Sequence, residues 1–421
     1  MATPSSIRTF IASLLVPLTT VGILSCIGND NGTVATSVRV QQAVDTIRKD
    51  LEDRLGKTVP SLNVLIDGPA GTYFTSSASE GNGGITQDTY FRFASNTKNF
   101  TATAILKMHE DGWLDYRAKI TDMIPGSTIP YVPGTPEWSI PYKEIITIRQ
   151  LLQHSAGVYD VDNSTVPGCG GLPYVSYIMN ADPAHQFTAA ELVQQVTDHE
   201  LSSFFLPGTG YQYSDTGYTI LGEIIARVYT HRSGSLKTYT DYLHDHIYGP
   251  NSRVPIAFHF PYRATGSDTT LPSPFCCGHI FNPGPGEFAL NCENNMSANV
   301  AEGNGYGTMS MLNRYIRTLM KGQNVLSFSS IEAMKRDVSP MNATYALGCF
   351  HVSNLGYGHN GAGNGYLSLM AYDPQTDLSV IVMMPCWDMS NGLTSFQECM
   401  KILQETGWAA RQVLGYPGKP T

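Results

Sequence analysis

What most limits the fold of this chain is where its strand-like segments fall. Two segments, SLNVLIDG (61–68) and GTYFTSSA (71–78), are joined by Pro69-Ala70 and read as the strands of a hairpin near the N-terminus. Three further strand patterns, 357–361, 365–372 and 378–384, lie near the C-terminus, the last two joined by the turn Asp373-Pro374-Gln375-Thr376-Asp377. Between the two groups the periodicity is helical, at 95–110, 145–153, 216–229, 308–321 and 330–336. Pro-, Gly- and Asn/Asp-rich stretches at 125–141, 160–190 and 250–300 interrupt it and read as irregular insertions. Flanking helices are expected over 38–56, where Val40, Val44, Ile47, Leu51 and Leu55 share one face, and over 393–414. Both ends can enter one sheet only if the middle is inserted between them. The pattern therefore predicts an α+β fold, an antiparallel sheet built from both termini, flanked by helices and interrupted by a mostly helical domain. The sheet subdomain is expected over about 38–94 and 300–421, and the helical subdomain over about 95–299.

Composition narrows the class of function. The net charge of −9 opposes nucleic acid or anionic lipid as a main partner, and 42% apolar residues exclude an acidic disordered chain. Charged residues make up only 14%, against about 25% in an average soluble domain, and with 23 Tyr this suits an exported protein with a neutral, aromatic surface. Arg8 is the only charge in the first 28 residues and precedes an apolar run over 10–24 broken by Pro17. That run is shorter than the roughly 20 residues of a membrane span and reads as a signal peptide over 1–28. The mature domain is then expected over 36–421, extracellular, or periplasmic in a bacterium, with no membrane span. Ile23-Leu24-Ser25-Cys26 also loosely resembles a bacterial lipoprotein box. Without Cys26, seven cysteines remain, an odd number that leaves at least one unpaired; Cys276, Cys277 and Cys292 share a loop where a disulfide is useful. Five glycosylation sequons begin at Asn31, Asn99, Asn163, Asn295 and Asn342, of which Asn99 falls within an expected helix.

Three segments carry chemistry. In Phe93-Ala94-Ser95-Asn96-Thr97-Lys98, Ser95 and Lys98 stand three apart at a helix start and so project on one face. Covalent acyl transfer needs a weak nucleophile with a neighbour that removes its proton, and a lysine can do so where its surroundings leave some neutral amine. Of the eleven lysines only Lys98 has a serine three positions before it. In Pro207-Gly208-Thr209-Gly210-Tyr211-Gln212-Tyr213-Ser214-Asp215, Tyr213 sits at a loop-to-helix junction where a phenol can shuttle a proton. The third segment, residues 358–366 (GHNGAGNGY), opens the C-terminal strands, where a Gly-rich edge admits substrate backbone and an N–H can complete an oxyanion hole.

In this order and with these flanks the chain resembles serine β-lactamases and penicillin-binding-protein-type hydrolases, in the branch of class C β-lactamases, D-alanyl-D-alanine carboxypeptidases and related esterases. The likeness spreads from about residue 38 to the end, including residues 147–157 (TIRQLLQHSAG), and is weak at 160–190 and 250–300. It implies Ser95 as the acylated nucleophile, Lys98 as its proton acceptor and Tyr213 as acid or base for the leaving group. It implies His359, with Asn360, Gly361 and Ala362, along the substrate, and the Ser95 and Ala362 N–H groups as the oxyanion hole. His154, at a helix end, is read as structural and away from the nucleophile.

One position departs from the family pattern Tyr-x-Asn: here it is Tyr213-Ser214-Asp215. A carboxylate accepts hydrogen bonds but cannot donate to a substrate carbonyl, and beside Lys98 it raises the lysine pKa. That disfavours β-lactams and peptidoglycan peptides, favours simple esters or substrates offering a donor or a cationic amine to Asp215, and predicts an alkaline optimum. The expected partner is thus a small ester, amide or peptide. No motif requires a cofactor or metal; metal-dependent hydrolysis through His244-Asp245-His246 lacks a second ligand cluster. Acyl transfer to an alcohol or amine uses the same site, and a non-catalytic binding protein on this fold is the contrasting reading.

Overall fold

A computed structural model describes residues 36–81 and 84–421. The expected signal peptide, Cys26 and the Asn31 sequon lie outside them. In chain order the first elements are α1 (Thr36–Leu55), β1 (Ser61–Gly68), β2 (Gly71–Ala78), β3 (Phe91–Arg92), α2 (Thr97–Glu110), α3 (Ile148–Leu152), α4 (Tyr174–Ala181) and α5 (Ala189–Asp198). Next come α6 (Asp215–Ser233), α7 (Tyr239–Tyr242), β4 (Gly278–Phe281), β5 (Leu290–Asn291), β6 (Tyr306–Gly307), α8 (Met309–Met320) and α9 (Phe328–Arg336). The chain closes with β7 (Phe350–Val352), β8 (Gly356–Gly363), β9 (Tyr366–Asp373), β10 (Leu378–Met384), β11 (Cys386–Asp388) and α10 (Leu393–Val413).

The main sheet has six strands in the order β2-β1-β10-β9-β8-β7, every pair antiparallel. The two ends of the chain meet where β1 pairs β10, with Asn63 opposite Met383 and Asp67 opposite Ser379. β10 is buried along its whole length because both faces of the sheet are covered. On one face, Val40, Val44 and Leu51 of α1 join Phe396, Ile402 and Leu403 of α10 over Val64, Leu369 and Val380. On the other face Leu65, Met370 and Ile381 join the core of the inserted domain, centred on α2, α6 and α8. A fully buried Leu or Ile contributes roughly 1.5–3 kcal/mol, so each face is a substantial source of stability.

The insertions hold more regular structure than expected. Residues 160–190 contain α4, and 250–300 contain β4 and β5, which join β11 in a small sheet of order β11-β4-β5. These strands are too short to show a period of two, and Cys277 and Cys292 are bonded across their base. Cys169, Cys276, Cys349, Cys386 and Cys399 are unpaired. Conversely, the helix expected over 145–153 shrinks to α3, because Thr147 caps it through Gln150 in a reciprocal capping box.

Candidate active site

Ser95 lies in a single 3-10 turn, Ala94–Asn96, that runs into α2. Ala94 adopts φ +48°, a conformation that costs an L-residue about 1–2 kcal/mol and is held by its surroundings. The Asn96 side-chain amide donates to Phe93 O (3.1 Å) and Ser368 Oγ (2.8 Å), and Ser368 Oγ itself donates to Phe93 O (3.1 Å). Gly361, paired with Ser368, presses on the same carbonyl: a Cβ there would stand 2.2 Å from Phe93 O. The β8–β9 edge is thereby fixed against the Ser95 turn.

Lys98 is fully buried and its Nζ donates to Ser95 Oγ at 3.1 Å. The same ammonium meets Asp215 Oδ1 at 2.6 Å, Glu302 Oε2 at 3.2 Å and the Glu302 carbonyl at 2.9 Å. Burial alone would lower the lysine pKa, but Asp215, then Tyr213 and Glu302, outweigh it and hold the group well above its usual value. The charge pairing expected from Asp215 is present, and a second carboxylate reinforces it. Asp215 is aimed by helix geometry. Ser214 caps α6 by accepting from Gly217 N–H, which puts Asp215 in the first turn, where the helix dipole favours a carboxylate. The amide of Asn163 bridges Asp160 and Asp215, 2.8 Å to each.

Tyr213 packs over Lys98, with Nζ 4.8 Å from its ring centroid, and its hydroxyl faces the Lys98 and Ser95 side chains. Burial raises the phenol, so it is protonated at any ordinary pH. The hydroxyl and amine, one helical turn apart, thus share one pocket with a phenol from a distant part of the chain. His154 is not away from the nucleophile, as expected, but lies flat beside Tyr213 at 4.1 Å between centroids, accepting Ser214 N–H at Nδ1 (3.1 Å). It supports the Tyr213 loop. Its turn requires φ +54°, and burial keeps the imidazole neutral.

The strand residues behave differently from expectation. The cleft beside Ser95 is lined by Ala94, Asp215, Met296, Asn299, Glu302, Gly303, Ala362, Gly363 and Asn364. Of the four strand residues expected along the substrate, only Ala362 reaches it. His359 is fully buried: Nδ1 contacts the Asn360 carbonyl at 2.6 Å, so that nitrogen carries the proton, and Nε2 accepts from Tyr345 OH at 2.9 Å. Burial depresses its pKa to about 3, so no imidazolium faces the cleft to hold an anion. Strand alternation puts the Asn360 side chain on the sheet face opposite His359, and Gly361 is closed off by Phe93.

Glu302, Asp162, Asn299 and Tyr345 escaped the sequence reading. Glu302 had a signal: it is the only charged residue between Glu293 and Arg314, within a stretch of small and polar residues. Two α2 hydroxyls seat it, since Thr101 Oγ1 donates to Ala301 O (2.6 Å) and Thr97 Oγ1 accepts Gly305 N–H (3.0 Å). Asp162, Asp215 and Glu302 place carboxylate oxygens within 4.8 Å of one another, the one such grouping among the described residues with the geometry for a cation. The Lys98 ammonium already meets Asp215 and Glu302 of that grouping. The His244-Asp245-His246 run does not belong to it; His244 pairs with Asp245 on the surface.

A family model described as Beta-lactamase matches residues 39–391. The chain belongs to the β-lactamase family. Within this family it is 29% identical over 161 residues to a penicillin-binding protein of Bacillus subtilis (38% of this chain, 28% of that protein). It is 30% identical over 141 residues to an esterase, EstB, of Burkholderia gladioli (34% of this chain, 33% of that protein). The alignments thus span about a third or less of these relatives' lengths. Among solved structures, D-amino acid amidase from Ochrobactrum anthropi SV3 in complex with L-phenylalanine amide superposes with a TM-score of 0.67 at 21% identity, over 89% of this chain and 99% of that one. A D-stereospecific amidohydrolase from Streptomyces sp. gives 0.64 at 22% identity, over 83% and 94%. These likenesses establish the family fold, with its sheet from both chain ends and its inserted helical domain.

Proposed function

We propose that this β-lactamase-family chain is a serine hydrolase that cleaves esters or small amides through an acyl-enzyme on Ser95. The observation that carries the reading is the 3.1 Å contact from Lys98 Nζ to Ser95 Oγ inside a buried group closed by Tyr213. Ser95 Oγ attacks the carbonyl carbon as its proton passes to the neutral fraction of Lys98. The Ser95 and Ala362 N–H groups receive the oxyanion. Tyr213 gives its proton to the leaving group and regains one from Lys98. Because Asp215 and Glu302 hold Lys98 as ammonium, the neutral amine is scarce near pH 7, which supports an alkaline optimum for acylation.

The charge of the cleft supports a substrate preference. Carboxylates at Asp215 and Glu302 and a neutral His359 disfavour β-lactams and peptides with a terminal carboxylate. They favour neutral esters and amides whose neighbouring amine is a donor or cation. Relatives whose names include an esterase and a D-amino acid amidase agree with that range. The N-terminal leader pattern and the Cys277–Cys292 bond support action outside the reducing cytosol.

The test is a panel of p-nitrophenyl esters, D-amino-acid amides and a chromogenic cephalosporin, with fluorophosphonate labelling read by mass. The expected result is turnover of esters and amides far above the cephalosporin, with labelling lost in Ser95→Ala. Labelling that persists in Ser95→Ala would place the nucleophile elsewhere, and a protein that neither labels nor turns over any substrate would be a binding protein on this fold.

A further inference from the structure

We infer that His154 is the positioning residue for Tyr213. It holds the phenol where it can protonate the leaving group, and so decides whether poor leaving groups, alkoxides and amines, can be expelled. The role rests on the acyl-enzyme reading above. Tyr213 cannot aim itself: residues 210–214 belong to no helix or strand, so the direction of the phenol depends on what holds its neighbours. Both neighbours are held by one residue. Gln212 N–H donates to the His154 carbonyl at 3.0 Å, and Ser214 N–H donates to His154 Nδ1 at 3.1 Å. Between these two bonds the imidazole lies against the Tyr213 ring, 4.1 Å between centroids and tilted by 30°.

His154 is itself fixed. It lies in the turn that ends α3, where its N–H donates to Leu151 O at 3.2 Å and Ser155 N–H donates to Gln150 O at 2.8 Å. The hydroxyl of Tyr218 in α6 donates to Leu152 O at 2.9 Å, which ties that turn to the helix that follows Tyr213. The turn needs φ +54° at residue 154, a region that His and Asn enter more readily than most side chains. Because Nδ1 accepts Ser214 N–H, the proton of the neutral ring stands on Nε2. The main-chain bond to Gln212 is available to any residue at 154; what the imidazole adds is the acceptor for Ser214 and the ring face.

The proton path shows which substrates depend on this grip. As the tetrahedral adduct collapses, the bond from carbon to the leaving oxygen or nitrogen breaks and Tyr213 gives its proton to that atom. Lys98 then passes to Tyr213 the proton it took from Ser95. The alcohol or amine leaves with one proton, Tyr213 and Lys98 regain their starting forms, and Ser95 carries the acyl group. A p-nitrophenolate leaves as a stable anion and needs no such proton, whereas ethoxide does. Displacing a positioned group by about 1 Å can cost about 100-fold in rate, so a loosened phenol penalises the second kind of leaving group.

The experiment compares kcat/KM for p-nitrophenyl acetate and ethyl acetate in wild type, His154→Leu, His154→Asn and Tyr213→Phe, with fluorophosphonate labelling of Ser95. Both esters give the same acetyl-enzyme, and their ratio within one sample does not depend on how much of the chain is folded. In His154→Leu, which removes the acceptor, the expected result is a ratio shifted against ethyl acetate by about 10–100-fold. His154→Asn places Oδ1 where the imidazole carries Nδ1 and should recover most of that shift. A merely structural role would lower both substrates together and leave the ratio unchanged. An unchanged ratio in His154→Leu while Tyr213→Phe shifts it, or no recovery in His154→Asn, overturns the assignment. If His154→Leu yields no folded protein, His154→Asn decides alone: a ratio close to wild type upholds the assignment and a shifted one overturns it. An unchanged ratio in Tyr213→Phe, or no Ser95 labelling in wild type, overturns the acyl-enzyme reading as written above, and this one with it.

Discussion

Replacing Asp215 by Asn tests the electrostatics of the Ser95–Lys98 pair most directly. The change removes one charge and keeps the shape. At an effective dielectric of about 20, a carboxylate 2.6 Å from the Lys98 ammonium interacts by about 6 kcal/mol, an upper limit on what is lost. Glu302 stays in place, and relaxation around the Asn amide recovers part of the remainder. The net shift expected is the about 1–3 pH units that a close opposite charge ordinarily produces. The sign follows from the proton count. Asp215 stabilises the charged form of Lys98, so its removal lowers the lysine pKa and leaves more neutral amine at a given pH. The ascending limb of kcat/KM against pH should therefore move toward acid by about 1–3 units. The substrate for the assay is p-nitrophenyl acetate, which carries no amine for Asp215 to bind, so changes in recognition do not mask the limb. A limb that stays within about 0.3 units, or moves toward alkali, refutes the claim that Asp215 controls the protonation of Lys98.

Other consequences follow from the same geometry. His359 is held neutral with a pKa of about 3 against about 6.5 in an unfolded chain, so its contribution is full above pH 6.5 and is lost as pH falls toward 3. At pH 5 that loss is about 2 kcal/mol, and urea unfolding at pH 7 and pH 5 should show it shrinking by that amount in His359→Gln. Equal pH dependence in both proteins would refute it. Gly361→Ala drives a Cβ to 2.2 Å from Phe93 O and should cost about 1–3 kcal/mol with a large fall in kcat, whereas Gly134→Ala, which meets nothing, should be silent in both melting and rate assays. Tyr345→Phe removes the donor to His359 Nε2 and should lower stability by about 1–3 kcal/mol, measured by thermal melting. Asn99 and Asn163 are buried with their amides donating to Gly348 O, Asp160 and Asp215, so glycopeptide mapping of protein from a secreting eukaryotic host should find both sequons bare.

The strands at both ends, the long helices and the first partners in the site were legible because each leaves a local mark. Strand-like runs over 61–78 and 378–384, a serine and lysine one helical turn apart, and a helix-opening Asp215 depend only on neighbours along the chain. β4 and β5 left no such mark, being too short for periodicity and made by pairing with β11 and by a cross-link. His359 was expected along the substrate from its motif, but which way a β8 side chain faces is set by register against β9. Register buried it against Tyr345 and removed Asn360 and Gly361 from the cleft.

By itself, then, the sequence determined which residues could supply a hydroxyl, an amine and a phenol, and that the chain ends must share a sheet. Tertiary structure decided what charge those groups work in. Glu302 is 204 residues from Lys98, and no local pattern brings them to 3.2 Å; two α2 hydroxyls and a bent segment do. Proton affinity depends on the distance and burial of every nearby charge, so it is a property of the folded pocket rather than of any motif.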